Sequence, residues 1–294
     1  MRPFLRPVLF GLGIALALGF SLSAGAAGTG LRVMSFNVMC SFCGHNGEIG
    51  RFKKRLPQIA DTIDRHDPDL ISVQELFTRS QMRRLRRRLK TEYETVFAHA
   101  IVGYADPTLF VRKSRFRVLD RGGFWLGPNA PRFGFGWAIA YPRRVEWADL
   151  EDLTSGRRFR FVGTHFDNNP KNKEPSAELL VRTVLPGGAT GLPVVFAGDT
   201  NLRPSMEGYA TLARAFRDTF TEVEDHPFIA KGPTSNSDGC DLDPTAVFPD
   251  CRIDHVMLSP NAPWRTKAWR LDAFKYAKGF TSDHRAVIVD LATE

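Results

Sequence analysis

Short apolar runs that end on oxygen-bearing polar residues constrain this chain more than any other feature. Eight runs rich in β-branched and aromatic residues recur along it: 31–38, 70–74, 109–111, 137–141, 159–166, 194–197, 253–258 and 286–291. They are strand-sized, and many lack the polar alternation of a half-exposed strand, which predicts strands covered on both faces. Between them, 51–66 and 79–91 carry apolar residues at three- and four-residue spacing, and 175–185 and 205–216 do so less cleanly, which predicts helices. Strands outnumber helices and run the length of the chain, so packed sheets with helices outside are the expected architecture.

With 294 residues, 43% hydrophobic and 24% charged, the chain has enough apolar material for a core and is too mixed to be disordered or fibrous. No internal repeat, low-complexity tract or linker follows residue 30, so one domain over 27–294 is expected. Ahead of it, Arg2 and Arg6 precede an uncharged stretch over 8–20, and small residues follow up to Ala26. That pattern predicts a signal peptide over 1–26 and export to a secreted or periplasmic location, because 13 apolar residues fall short of a spanning helix. Its removal lowers the net charge from +8 to +6, so the basic balance belongs to the mature protein and favours anionic partners. The run Arg83, Arg84, Arg86, Arg87 and Arg88 suggests nucleic acid, but Met82, Leu85 and Leu89 form a stripe that a helix can bury, leaving the arginines solvated outside.

The polar endings carry the chemistry. Asn37 closes one run, Glu75 follows another, and His165, Asp167 and Asn168 end a third; then come Gly198-Asp199-Thr200-Asn201, Asp254-His255 and Ser282-Asp283-His284. Asn37, Glu75 and Asp283 offer hard oxygen ligands suited to Mg²⁺ or Mn²⁺, whereas zinc would want more imidazole or thiolate. Asp254 and His284 supply a carboxylate-oriented imidazole, and His165 is a second histidine able to contact a phosphoryl oxygen. An oriented water, neutralised phosphoryl oxygens and help for the leaving oxygen are what hydrolysis of a phosphodiester needs.

In this order the segments resemble the endonuclease/exonuclease/phosphatase superfamily over residues 31–291, with Phe124-Trp125-Leu126 and the later motifs closest to its secreted bacterial and CCR4-type metal-dependent branches. The resemblance implies an α/β fold of two packed mixed sheets flanked by helices, a four-layer αββα sandwich of the deoxyribonuclease-I type. It implies that Asn37 and Glu75 bind the metal with help from Asp283, that His165 polarises the phosphate, and that Asp199 and Asn201 orient water. Asp254 would orient His284 as general acid or base, and either Asp199 or His284 would take the proton from water. Related branches often place a Glu near 104–110 to pair with the first histidine. Here Asp106 is the only acid close by, and its register is off, which leaves the carboxylate support of His165 open.

His255 adjoins Asp254 on a strand and so faces away from it, as a packed or surface histidine. Asp167 and Asn168 either line the substrate groove or cap the loop. Cys40, Cys43, Cys240 and Cys251 form an even set in an exported chain, and a disulfide between Cys240 and Cys251 would staple the loop they flank. Cys40 and Cys43 close a small ring or reach elsewhere, and the spacing disfavours a four-thiolate zinc site. The acids Asp238, Asp241, Asp243 and Asp250 lack EF-hand spacing and read as a solvated loop. A monomer acting on a phosphodiester is expected, with nucleic acid favoured through the positive charge and a phospholipid head group or inositol phosphate as the alternative. A binding protein that lost catalysis is the reading from another class.

Overall fold

Parity along the strands organises the molecule. In β1 (Leu31–Asn37), Leu31 and Val33 belong to one apolar cluster while Met34 and Phe36 belong to another. Successive side chains of a strand point to opposite faces, so each strand feeds two cores. The computed structural model describes residues 30–43, 51–97, 106–186, 191–223, 251–277 and 279–293. Its remaining elements are α1 (Phe52–His66), β2 (Leu70–Gln74), α2 (Arg79–Arg86), β3 (Tyr93–Val96), β4 (Thr108–Arg112), β5 (Phe116–Leu126), β6 (Arg143–Asp152), β7 (Arg158–His165), α3 (Pro170–Val184), β8 (Val194–Asp199), α4 (Glu207–Ala215), β9 (Arg217–Asp218), β10 (Asp254–Leu258), β11 (Trp264–Leu271) and β12 (Val287–Thr293).

Two six-stranded sheets result, ordered β11-β12-β1-β2-β4-β3 and β5-β6-β7-β8-β10-β9. Each has one parallel pair at its centre, β1 with β2 and β7 with β8, joined through α1 and α3 respectively. The inner faces meet in a core of Val33, Leu70, Leu109, Phe159, Phe161, Val195 and Val256. α1 and α2 cover the outer face of the first sheet and α3 and α4 that of the second, which is the expected four-layer αββα sandwich. The sheets come closest where Gly163 lies: a Cβ there would collide with Ser72 and Leu109 of the facing sheet. That approach lies two residues before His165, so it bears directly on the site.

The sequence reading locates the helices and most of the strands, with corrections. No strand forms over 137–141, which is turn in a connection between β5 and β6, with Trp137, Ile139 and Tyr141 exposed. Its alternation of large and small residues mimics a strand, but no described strand pairs with it. α2 stops at Arg86, starting from a capping box between Thr78 and Gln81, and Leu89 is buried beyond its end. The five arginines are exposed and Met82 and Leu85 buried, as the stripe implied. α3 starts five residues earlier than expected because Pro170 sits at its first position behind the Asn169 cap, with Pro175 accommodated inside. Strands β3, β5, β6, β9 and β11 escaped the sequence reading, and their exposed charged positions, such as Arg117, Asp120 and Arg121 in β5, explain why. The signal peptide 1–26, Cys240 and the acids Asp238, Asp241, Asp243 and Asp250 lie outside the described residues. Cys40 and Cys43 form a disulfide, the small ring of the two alternatives.

Candidate active site

Asn37, His165, Asp199 and Asp254 all share the parity of the inter-sheet apolar residues on their strands: Val33, Phe161, Ala197 and Val256. The inner faces therefore carry them to one end of the sandwich, where the apolar core gives way to buried polar groups. In the second sheet His165 is the register partner of Asp199, which is in turn that of Asp254, so three strands deliver three titratable groups side by side.

Asp199 is the centre. Its Oδ2 accepts from Asn37 Nδ2 at 3.0 Å and lies 3.4 Å from His165 Nε2 and 3.7 Å from His284 Nε2. Its Oδ1 accepts from the Asn201 backbone N–H at 2.9 Å. Burial alone would push this carboxyl up, but His284, His165 and the Asn37 amide outweigh it and hold the group below the ordinary range, so it is ionised at neutral pH.

Each histidine has its own carboxylate. His284 Nδ1 donates to Asp254 Oδ2 at 2.9 Å. Burial disfavours its cationic form, yet Asp254 and Asp199 hold His284 well above the ordinary histidine value. His165 Nδ1 lies 2.9 Å from Asp106 Oδ2, so Asp106, whose register was off in the sequence, is the missing carboxylate. Its Oδ1 accepts from the Glu75 backbone N–H at 2.9 Å, and Arg143 Nη1 lies 3.3 Å from Oδ2 and 2.7 Å from His165 Nδ1. Burial would raise the Asp106 carboxyl, and His165 and Arg143 together hold it low instead. With both Nδ1 atoms turned to carboxylates, the Nε2 atoms are the ones facing Asp199.

The residues that could hold a metal stand beside this group. Asn37 Nδ2 bridges Asp199 and Glu75 Oε1, each at 3.0 Å, while its Oδ1 accepts from Met39 N. Asn37 thus turns its amide nitrogen toward the carboxylates, and ligation through its oxygen requires the amide to turn over. Glu75 Oε2 also accepts from the Cys40 backbone N–H. Among the described residues, three of the four non-glycine residues with positive φ, Met39, Glu75 and Asn201, are in this region, a clustering of backbone strain typical of functional sites.

Arg55 was missed in the sequence. It sits on the apolar stripe of α1 beside Leu56 and Ile59, fully covered, and donates to the carbonyls of Val38, Met39, Cys40 and Thr281. It thereby ties the loop after β1 to the loop that carries Ser282, Asp283 and His284. Burial pushes its guanidinium down to about 10 against the opposing pull of Asp283 and Glu75. Both carboxylates thus act on one cation, each itself only partly covered. A charged residue in phase with a buried helical stripe was the available signal.

A hard divalent cation fits this donor set. Glu75, Asp283 and Asn37 bring only oxygen donors, and the neighbouring Cys40 and Cys43 are locked in their disulfide and supply no thiolate. A second group, Asp199, Asp254 and His284, is also close enough to hold an ion, but its histidine is already engaged by Asp254.

Asp167, Asn168, Asn201 and His255 stand apart from this group. Asp167 accepts from Asn169 N at 3.1 Å and from Asn172 Nδ2 at 2.7 Å, so it caps the loop ahead of α3 rather than facing a groove, and Asn168 is exposed. Asn201 donates from Nδ2 to the Phe166 carbonyl, which makes it a brace for Asp199. His255 faces the other way as expected: it bonds the Leu202 carbonyl, packs on Tyr209, and burial pushes it down to about 4.

Among solved structures, the chain resembles an endonuclease/exonuclease/phosphatase family protein from Bacteroides thetaiotaomicron, with 23% identity over 91% of this chain and 99% of that one and a TM-score of 0.76. A mannosyl-6-phosphatase of the same organism shares 23% identity over 89% of this chain and 99% of that one, at 0.75. D. rerio TDP2 in complex with a single-strand DNA product shares 20% over 90% and 100%, at 0.67. At these identities the likeness establishes the fold alone, and no curated protein sequence matches. Residues 34–284 match the Endonuclease/Exonuclease/phosphatase family, a span that opens in β1 and closes on His284 itself, and the chain therefore belongs to that family of divalent-metal-dependent phosphoester hydrolases.

Proposed function

We propose that the protein is an exported phosphodiesterase that uses Mg²⁺ or Mn²⁺ and attacks a phosphodiester with water. The observation that carries this reading is the placement of one ionised carboxylate, Asp199, between the Nε2 atoms of two carboxylate-supported histidines and next to the oxygen ligands. When bound beside Glu75 and Asp283, the metal neutralises charge on the phosphoryl oxygens. Asp199, braced by Asn201, accepts a hydrogen bond from the attacking water and takes its proton. His284, kept cationic by Asp254, gives a hydrogen bond to a phosphoryl oxygen on which charge develops. His165, oriented by Asp106 and Arg143, holds the substrate phosphate from the other side; as the new P–O bond forms, the P–O bond to the leaving alcohol breaks and its oxygen takes a proton from solvent water. Between the two bases left open by the sequence, the raised His284 value favours Asp199 as the acceptor.

Export is supported by the apolar leader and by the Cys40–Cys43 disulfide, which persists in oxidising compartments. Nucleic acid, favoured by charge, draws less support from the arginines of α2: they form a solvated face on a helix that supplies no residue to the site. The test is hydrolysis of bis(p-nitrophenyl) phosphate with Mg²⁺ or Mn²⁺ by wild-type protein and by Asp199→Asn. Activity lost in the variant supports the reading; a wild-type protein inactive on every phosphodiester with either ion overturns it.

A further inference from the structure

Among the described residues, the connection between β5 and β6 is the largest exposed apolar feature that the catalytic reading leaves unexplained. β5 and β6 pair from Phe116 with Asp152 up to Leu126 with Arg143, so residues 127–142 form the loop at the end of the hairpin where Arg143 meets His165. Within it the sequence Phe133-Gly-Phe135-Gly-Trp137-Ala-Ile139-Ala-Tyr141 carries no charge in nine residues. All five large side chains are exposed, from 37% at Trp137 to 93% at Ile139, while the small residues between them are half-buried.

The loop is held in place. Asn172 of α3 grips Ala138 through both backbone groups, at 2.7 and 2.9 Å, and the same amide donates to Asp167, two residues from His165. Gly136, at φ +85°, lies against this amide, where a Cβ would collide with it. Phe133 packs edge-on against Trp125 and Phe135. A set of large apolar side chains fixed outward beside a catalytic centre has no role in the folded chain's own core.

We infer that this loop docks the enzyme on a phospholipid membrane, bringing lipid head-group phosphodiesters to His165 and His284. A lipid interface accepts aromatic and aliphatic side chains together, and the most exposed residue is aliphatic. A nucleic-acid platform would interleave its aromatic rings with cations, and the nine residues hold none. Exposed Arg132 beside the apolar span and the net +6 left once Arg2 and Arg6 are removed with the leader complement anionic head groups. The inference names the substrate class for the phosphodiesterase reading and rests on that reading, but membrane binding is measured without catalysis.

The test is sedimentation of the mature protein, residues 27–294, in EDTA, with vesicles of phosphatidylcholine and phosphatidylserine at three to one. Wild type is expected to co-sediment, and Ile139→Asp to lower the partition coefficient by about tenfold or more. Leu153→Asp, which places the same charge on another exposed aliphatic position, 53% accessible, at the opposite end of the hairpin, is expected to bind as wild type does. Thermal melts confirm that both variants fold. Absence of wild-type binding, or equal binding by Ile139→Asp, overturns the proposal. So does weaker binding of single-stranded DNA by Ile139→Asp with vesicle binding unchanged, which would make the loop a base-stacking surface. Vesicle binding without phosphodiester hydrolysis would instead defeat the phosphodiesterase reading and leave the docking surface standing.

Discussion

The two sheets share a plan and differ in what they bring to the site. In the first, the parallel pair β1 and β2 is flanked by antiparallel β12 and β4; in the second, the parallel pair β7 and β8 is flanked by antiparallel β6 and β10. Equivalent positions carry chemistry in both: Asn37 and Glu75 at the ends of one central pair, His165 and Asp199 at the ends of the other. Asp106 precedes β4 and Asp254 opens β10, and each serves the histidine of the opposite sheet. The first sheet thus contributes the partly exposed carboxylates proposed to hold the metal, Glu75 and Asp283, and the second contributes fully buried groups, His165, Asp199 and Asp254. Exposure suits groups that must meet a hydrated ion, and burial suits groups whose protonation must be controlled. Because both His–Asp pairs cross between sheets, neither half contains a working site.

The strongest way to break the comparison is to empty the ligand side. Removing divalent metal with EDTA should abolish hydrolysis, and Mg²⁺ or Mn²⁺ should restore it; full turnover in chelator would show that Glu75 and Asp283 hold no catalytic ion. On the buried side, His284→Ala should lower kcat by about 10²-fold or more with the fold intact by circular dichroism, since its proton acts in the transition state. A variant with near wild-type kcat would remove His284 from the mechanism. The crossed pairs are separable by their carboxylates. Asp254→Asn should approach the His284→Ala loss, whereas Asp106→Asn should cost roughly tenfold, because Arg143 still holds His165. The reverse order would make His165 the dominant group.

Protonation sharpens the same contrast. The folded state holds His284 above its unfolded value near 6.5, so its pairing stabilises the protein fully below that pH, and the contribution is lost as pH rises through the folded value. Melts in EDTA should therefore show the gap between wild type and His284→Gln greatest below about pH 6.5 and narrowing above it. A gap that widens with pH would contradict the assigned charge.

The smallest effect on activity is expected at the opposite end of the sandwich. There a cavity of about 660 Å³ is lined by Arg32, Asp69, Arg112 and Asp290, and the acids are met by arginines: Arg32 and Arg270 on Asp290, Arg112 and Arg115 on Asp69. Carboxylates matched by guanidinium groups leave no call for a metal. Arg115→Ala should cost about 1–3 kcal/mol of stability in denaturant melts and leave kcat unchanged. A large kcat loss there would tie this end to the chemistry.

Local pattern sufficed for much of this. Parity alone places Asn37 with Val33, His165 with Phe161, and Asp254 with Val256, because side chains alternate along any strand wherever it is packed. The motif order then brought the same residues into one family, and the stripe of Met82 and Leu85 correctly assigned the arginines to solvent. Tertiary structure decided what depends on distance between chain segments. The carboxylate partner of His165 is Asp106, 59 positions away, brought in from the facing sheet, and no spacing rule reports such a contact. Arg55 reads locally as a flaw in an apolar helix face and becomes a clamp only because four carbonyls from two loops converge on it. The run 137–141 has strand-like alternation, but a strand exists only through hydrogen bonds to a neighbour. Here no described strand pairs with it, and the same alternation turns a row of apolar side chains to the outside.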